Sequence, residues 1–173
     1  MGKNISDPKI WYKIINKLNE AKLSYVLVGG AALVIHGLPR STLDIDIYVP
    51  AKEEALNKLF QITDSLGLGT KQKAILAISH QPKLFVNQWI CFSYKGQDIL
   101  DAFLASEKEF NKLYANSQLK KNQSVTIRVA PLKDIKLMKK KSGRPVDLTD
   151  LKFIEEAEKY GAGLGSRRQK KKG

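Results

Sequence analysis

VGGAALVIHGLPRSTLDIDI, residues 28–47, is the stretch on which the reading of this chain turns. The apolar run Tyr25 to Val28 reads as a strand and leads into the glycine pair Gly29-Gly30. The next residues, to about His36, have the pattern of a short apolar helix. Arg40, Ser41 and Thr42 form a polar turn, and Asp44-Ile45-Asp46 opens a second strand. Side chains alternate along a strand, so Asp44 and Asp46 project together while Ile45 and Ile47 enter the core. Two carboxylates so placed repel unless a cation lies between them, and hard divalent cations with oxygen ligands suit them. Gly29 and Gly30 allow the backbone to approach a phosphate that any Cβ would obstruct.

Outward from this stretch, the pattern is one of helices alternating with strands. Asp7-Pro8 reads as an N-cap with proline in the first turn, starting a helix that runs to about Lys22. Strands are predicted at about Ser24 to Val28 and Asp44 to Val49, and a helix from Lys52 to Leu66. Two β-rich stretches follow, Ala74 to Ser79 and Leu84 to Tyr94. Lys95-Gly96 is a turn signal before a core strand from Gln97 to Phe103. A helix over Glu107 to Leu119, a strand over Val125 to Val129, a helix over Leu132 to Lys141 and a last helix over Asp147 to Tyr160 complete the reading. The fold class is α/β (α+β), with a mixed, mostly antiparallel sheet flanked by helices on one side. A dinucleotide-binding reading of the first glycine turn fails, because Gly29-Gly30-Ala31-Ala32 lacks the spaced G-x-G-x-x-G pattern.

The 173 residues suit one domain, expected over residues 1–160, with a basic and disordered tail at 161–173. The net charge is +13, and the tail Ser166 to Gly173 holds five basic residues and no acidic one, leaving +8 for the rest. That balance favours polyanionic partners, nucleotides or nucleic acid. The most apolar stretch, Val26 to Ile35, contains two glycines and is too short to span a bilayer. No apolar segment marks a signal peptide near Met1, so a cytoplasmic protein is expected. Met1-Gly2 fits a loose myristoylation pattern, read as coincidence. Cys91 stands alone, which excludes an internal disulfide. His36 and His80 lack partners at zinc-ligand spacing. Trp89, Phe92 and Tyr94 are assigned to the sheet, with base stacking as the minority reading.

Gly29-Gly30, the run Arg40-Ser41-Thr42-Leu43-Asp44-Ile45-Asp46 and a later strand carboxylate together resemble the nucleotidyltransferase (polymerase-beta-like) superfamily. The segment LKDIKLMKKKSGRPVDLTDL, residues 132–151, is similar to the C-terminal pattern of its abortive-infection-type members, which work in toxin–antitoxin pairs. The resemblance implies metal-dependent transfer of a nucleoside monophosphate from an NTP to a hydroxyl of RNA, protein or a small molecule, with release of pyrophosphate. It implies Mg²⁺ or Mn²⁺ on Asp44, Asp46 and a third carboxylate. Asp98 is chosen as that third carboxylate because it leads an apolar pair, with Asp101 as fallback. Nucleotide contacts fall on Gly29, Gly30, Arg40, Thr42 and Lys139, the last with a one-residue ambiguity against Lys140 and Lys141. Arg40 and Thr42 read equally well as ordinary turn residues. Asp147 reads as the N-cap of the last helix and Asp150 as its capping-box partner. Val146 departs from a lysine common there in the family. Possible partners are tRNA or other RNA, a protein acceptor, an antitoxin or a second copy, with no membrane. The alternative is a catalytically silent relative that binds nucleotide or RNA and acts through a protein partner. Three carboxylates converging on one site favour the enzyme.

Overall fold

A computed structural model describes residues 8–169, and side chains are considered as far as Gly161. Helix α1 (Pro8–Glu20) begins at its proline, as expected, and Asp7, its expected cap, lies outside the described residues. Ile10, Ile14 and Leu18 recur at helical spacing, and all three are buried. Strand β1 (Val26–Val28) is buried along its whole length and passes directly into α2 (Gly29–Ile35). Strand β2 (Ile45–Pro50) alternates as its sequence demands, with Ile45, Ile47 and Val49 in the core and Asp46 and Tyr48 on the other face. Helix α3 (Glu53–Ser65) buries Leu56, Leu59, Phe60 and Ile62.

Two 3₁₀ turns, Lys73–Ile78 and Pro82–Leu84, precede strands β3 (Trp89–Tyr94) and β4 (Gln97–Ala105). Helix α4 (Glu107–Asn116), strands β5 (Gln118–Asn122) and β6 (Val125–Val129), and helices α5 (Leu132–Ser142) and α6 (Pro145–Gln169) follow. The six strands form one sheet in the order β3-β4-β2-β1-β6-β5. Three of its pairings are antiparallel (β3 with β4, β1 with β2, β5 with β6) and two are parallel (β2 with β4, β1 with β6). The expected mixed sheet flanked by helices is the one observed.

Four segments differ from the sequence reading, one of them Leu84 to Tyr94, which is extended only from Trp89. Ala74 to Ser79 is not extended: its 3₁₀ turns bury no residue fully and pair with no strand. The expected helix over Glu107 to Leu119 stops at Asn116, and Gln118–Asn122 becomes the edge strand β5. The β5–β6 hairpin turns through Gln123 and Ser124, and Gln123 takes a left-handed conformation (φ 53°), a role usually given to Asn or Gly. The last helix starts two residues early, at Pro145, and its backbone is helical to Gln169, past the end expected at Tyr160. Residues 170–173 of the basic tail lie outside the described residues.

Candidate active site

The sheet register builds the centre of the site. Asp46 on β2 lies opposite Val28 on β1 and opposite Asp101 on β4. Asp44 sits one residue before the strand. Ligand oxygens of Asp44, Asp46 and Asp101 all lie within 4.8 Å of one another. Asp98 does not join them. The last β2–β4 pair is Ile45 with Leu100, so Asp98 falls beyond the end of β2 and bonds to the Ser93 hydroxyl (2.9 Å). The structure sets Asp101, the fallback, and not Asp98 beside Asp44 and Asp46. A bulge in the β3 pairing, with Phe92 opposite Leu100 but Ser93 opposite Asp98, leaves Ile99 as the extra residue. Burial and then the nearby Asp101 and Asp98 push the Cys91 thiol up to about 12, so both aspartates lie on one side of this sheet edge.

The three carboxylates suit a cation. Burial, followed by the charges of Asp44 and Asp101, pushes Asp46 up to about 7. Burial also raises Asp101, and its Oδ1 is buried without a hydrogen-bond donor. An acceptor so placed is costly unless a cation or a proton meets it. The donor set is all oxygen, as Mg²⁺ or Mn²⁺ prefers.

The glycine pair closes one wall. Gly29 has φ +67°, and a Cβ there would come 1.9 Å from Asp46 Oδ2. Gly30 is buried, not at a free surface, and a Cβ on it would lie 3.1 Å from the Thr42 side chain. Thr42 holds the turn, its hydroxyl donating to Asp44 Oδ1 (2.9 Å).

The opposite wall is a buried ionic network between α5 and α6. Lys139 Nζ donates to Asp147 Oδ1 (3.0 Å) and lies 2.6 Å from Asp150 Oδ2. Arg40 Nε lies 2.8 Å from Asp150 Oδ1, close but not aligned as a hydrogen bond. Asp147 and Asp150 are fully buried, so each leans on these cations. Asp147 is not the N-cap. Arg144 precedes the first helical residue, Pro145, and Asp147 reaches back from the third position to accept its backbone N–H (3.1 Å). Burial works to raise Asp147, but hydrogen bonds from Arg144 and Lys139 outweigh it and hold the carboxyl well below the ordinary range. Arg144 donates through Nε to Asp147 Oδ2 (3.0 Å) and keeps a side chain 68% exposed to the cleft.

These groups line one cleft of ≈ 370 Å³, which holds Gly29, Gly30, Arg40, Thr42, Lys139 and all three carboxylates. The structure thus brings together every expected site residue except Asp98. Arg144 also lines it and escaped the sequence reading, although the Gly-Arg-Pro break marked its place. His36 bonds through Nε2 to the Ala130 carbonyl (2.8 Å).

A mixed sheet with a glycine turn and carboxylates on adjacent strands defines a nucleotidyltransferase-like fold. The sequence pattern of the family described as "Nucleotidyltransferase of unknown function (DUF6036)" matches residues 12–157, and the chain belongs to that family. No curated protein sequence matches it. Among solved structures, it is similar to the candidate nucleotidyltransferase TM1012 of Thermotoga maritima (17% identity, TM-score 0.59, covering 92% of each chain). It is also similar to ANT(2")-Ia, solved with adenylyl-2"-tobramycin (15% identity, TM-score 0.58, 92% of this chain and 97% of that one). A third is an antigenic nucleotidyltransferase-like protein of Paracoccidioides brasiliensis (13% identity, TM-score 0.53, 84% and 73%). Among the described residues no helix is long and apolar enough to cross a membrane.

Proposed function

We propose that this protein transfers a nucleoside monophosphate from an NTP to a hydroxyl acceptor and releases pyrophosphate, with Mg²⁺ or Mn²⁺ held by Asp44, Asp46 and Asp101. The observation that carries the reading is the convergence of those three carboxylates beside the Gly29-Gly30 turn, in a chain of a nucleotidyltransferase family. Bound metal supplies charge neutralisation at the transferring phosphoryl group and at the leaving oxygen. Gly29 and Gly30 leave to Asp46 and Thr42 the space a Cβ would take, so the turn sets the carboxylates close against the backbone. Arg144, the most exposed of the arginines and lysines in the cleft network, offers its guanidinium to the phosphates. Lys139 spends its charge on Asp147 and Asp150, so its part is to hold α5 and α6 in place around the cleft as well as to add positive potential. Asp101, with one oxygen unpartnered, accepts the proton of the incoming hydroxyl.

Calorimetry with ATP and magnesium tests the site. The native chain is expected to bind ATP only with metal present, and Asp44→Asn and Asp46→Asn are expected to abolish that binding. Binding unchanged in both variants would overturn the reading.

A further inference from the structure

The sheet ends in two edges, β3 and β5, and the chain treats them differently. Along β3, outward backbone groups are taken up by other parts of the chain. Gln72 Nε2 donates to the Trp89 carbonyl (2.8 Å), and Gln72 Oε1 accepts from the Cys91 N–H (2.8 Å). Further along, Ser93 exchanges both of its backbone hydrogen bonds with Gly69 (2.8 and 2.9 Å). An open edge invites pairing with another chain, and covering of this kind closes it. The β5 edge has no such cover. It pairs with β6 on one side, and among the described residues no hydrogen bond reaches its outward backbone groups. None of its five residues is buried, and Leu119 is 62% exposed.

The open edge is also basic. Leu119 and Lys121 share one face of β5, and Lys120 stands on the other. Leu119 lies opposite Arg128 on β6, and Lys121 lies opposite Thr126. A groove of ≈ 650 Å³ adjoins this edge, with Leu119, Arg128, Tyr114 and Lys22 in its walls and no carboxylate among its lining residues. The Arg128 guanidinium lies over the Tyr114 ring, 4.2 Å from its centre, and donates to Ser117 Oγ (3.1 Å). Among the described residues no carboxylate pairs with Lys22, Lys120, Lys121 or Arg128.

We propose that β5 is the docking edge for a partner protein, which adds an acidic, extended segment to the sheet alongside it. Main-chain hydrogen bonds to the open edge supply affinity, and the side chains opposite β5 supply the choice of partner. The segment carries Asp or Glu where it meets Lys120 and Lys121, and an apolar residue beside Leu119. Opposite charges facing each other across strands stabilise the pairing, and like charges oppose it. That disfavours a second copy, whose β5 brings the same two lysines. It equally disfavours the chain's own C-terminal end, where residues 170–173 read KKKG. A nucleic acid lacks the regular row of amide donors and acceptors that a strand edge matches, so the open edge selects a polypeptide. The edge is remote from the cleft: β1 and β6 lie between β5 and β2. The proposal therefore stands or falls independently of nucleotidyl transfer.

The test screens the full chain against a displayed library of random decapeptides. Enriched peptides are expected to alternate apolar with acidic residues and to lack proline, which cannot donate to a ladder. An enriched peptide is then synthesised, labelled and followed by anisotropy and by amide hydrogen exchange. Its binding should slow exchange within Gln118–Asn122. Reversing both charges, Lys120→Glu with Lys121→Glu, should weaken that peptide about tenfold, the scale of two cross-strand charge pairs turned to repulsion. The same variant should gain affinity for the peptide with Lys in place of its acidic residues. Circular dichroism checks that the variant folds, and hydrogen exchange on the native chain decides the question if it does not. No enrichment, enriched peptides without acidic residues, or exchange slowed elsewhere but not in β5 would overturn the proposal. So would a dimer in sedimentation at micromolar concentration that protects β5 with no peptide present.

Discussion

At the scale of single residues, Asp98 and Asp101 show what decides a site. Both are acidic, both belong to β4, and only the pairing partner tells them apart. The carboxylates of Asp44 and Asp46 were legible because a period of two needs no knowledge of the neighbouring strand. The neighbour of Asp46 on β4 was not, because Asp101 reaches it only through the parallel pairing of β4 with β2, which nothing in Gln97-Asp98-Ile99-Leu100-Asp101 announces. Asp101→Asn is expected to lower transfer by about a hundredfold or more, the scale of a lost general base, while Asp98→Asn stays near native. Steady-state rates on one acceptor check the ranking. Asp46 carries a pH signature. Its carboxyl is raised from 3.8 to about 7, so the folded chain holds a proton that the unfolded chain releases. The metal-free fold therefore loses stability as pH rises from about 4 to about 7. Asp46→Asn should then be more stable than the native chain at pH 8, by up to about 4 kcal/mol, and no more stable near pH 4. Urea denaturation in chelator at both pH values measures this. Because metal must displace that proton, metal-dependent ATP binding should weaken between pH 8 and pH 6.

At the scale of elements, the unit β1–turn–α2 and the pair α5–α6 frame the cleft from two sides. The first was readable from sequence, since an apolar strand running into two glycines has few other meanings. Its detailed reason was not: Gly29 is required because Asp46 Oδ2 occupies the place of a Cβ, a contact across two strands. Gly29→Ala should displace Asp46 and abolish metal-dependent ATP binding even if the chain folds, which circular dichroism and calorimetry together will show. In α5–α6 the lysine run left a one-residue ambiguity, and Lys139 is buried between Asp147 and Asp150 while Lys140 and Lys141 are exposed. One position in the run faces inward because α5 packs with that side toward α6. Lys139→Ala leaves two buried carboxylates short of a cation and is expected to cost about 3–5 kcal/mol, read from a lowered urea midpoint. The 3₁₀ turns at Lys73–Ile78 were misread as strand because apolar residues suggested one, although no neighbouring strand is there to pair.

At the scale of the whole molecule, the sheet order places every chemical group on one face near its middle. β2, with Asp46, has β1 and its glycine turn on one side and β4, with Asp101, on the other. The opposite face is filled by Ile45, Ile47, Val49 and the apolar sides of α1 and α3, so the core and the cleft use alternate residues of the same strands. The alternation of helix and strand made the fold class legible. The strand order was not, because parallel pairing of β2 with β4 joins segments far apart in the chain. The central claim is that this face moves nucleoside monophosphates. It is tested most directly by incubating the native chain and Asp101→Asn with each α-labelled triphosphate, magnesium or manganese, total RNA and cell protein, while following label and pyrophosphate. The expected result is metal-dependent incorporation of label into one acceptor with matching pyrophosphate release, lost in Asp101→Asn. No incorporation from any triphosphate, or incorporation that survives Asp101→Asn unchanged, would contradict the assignment.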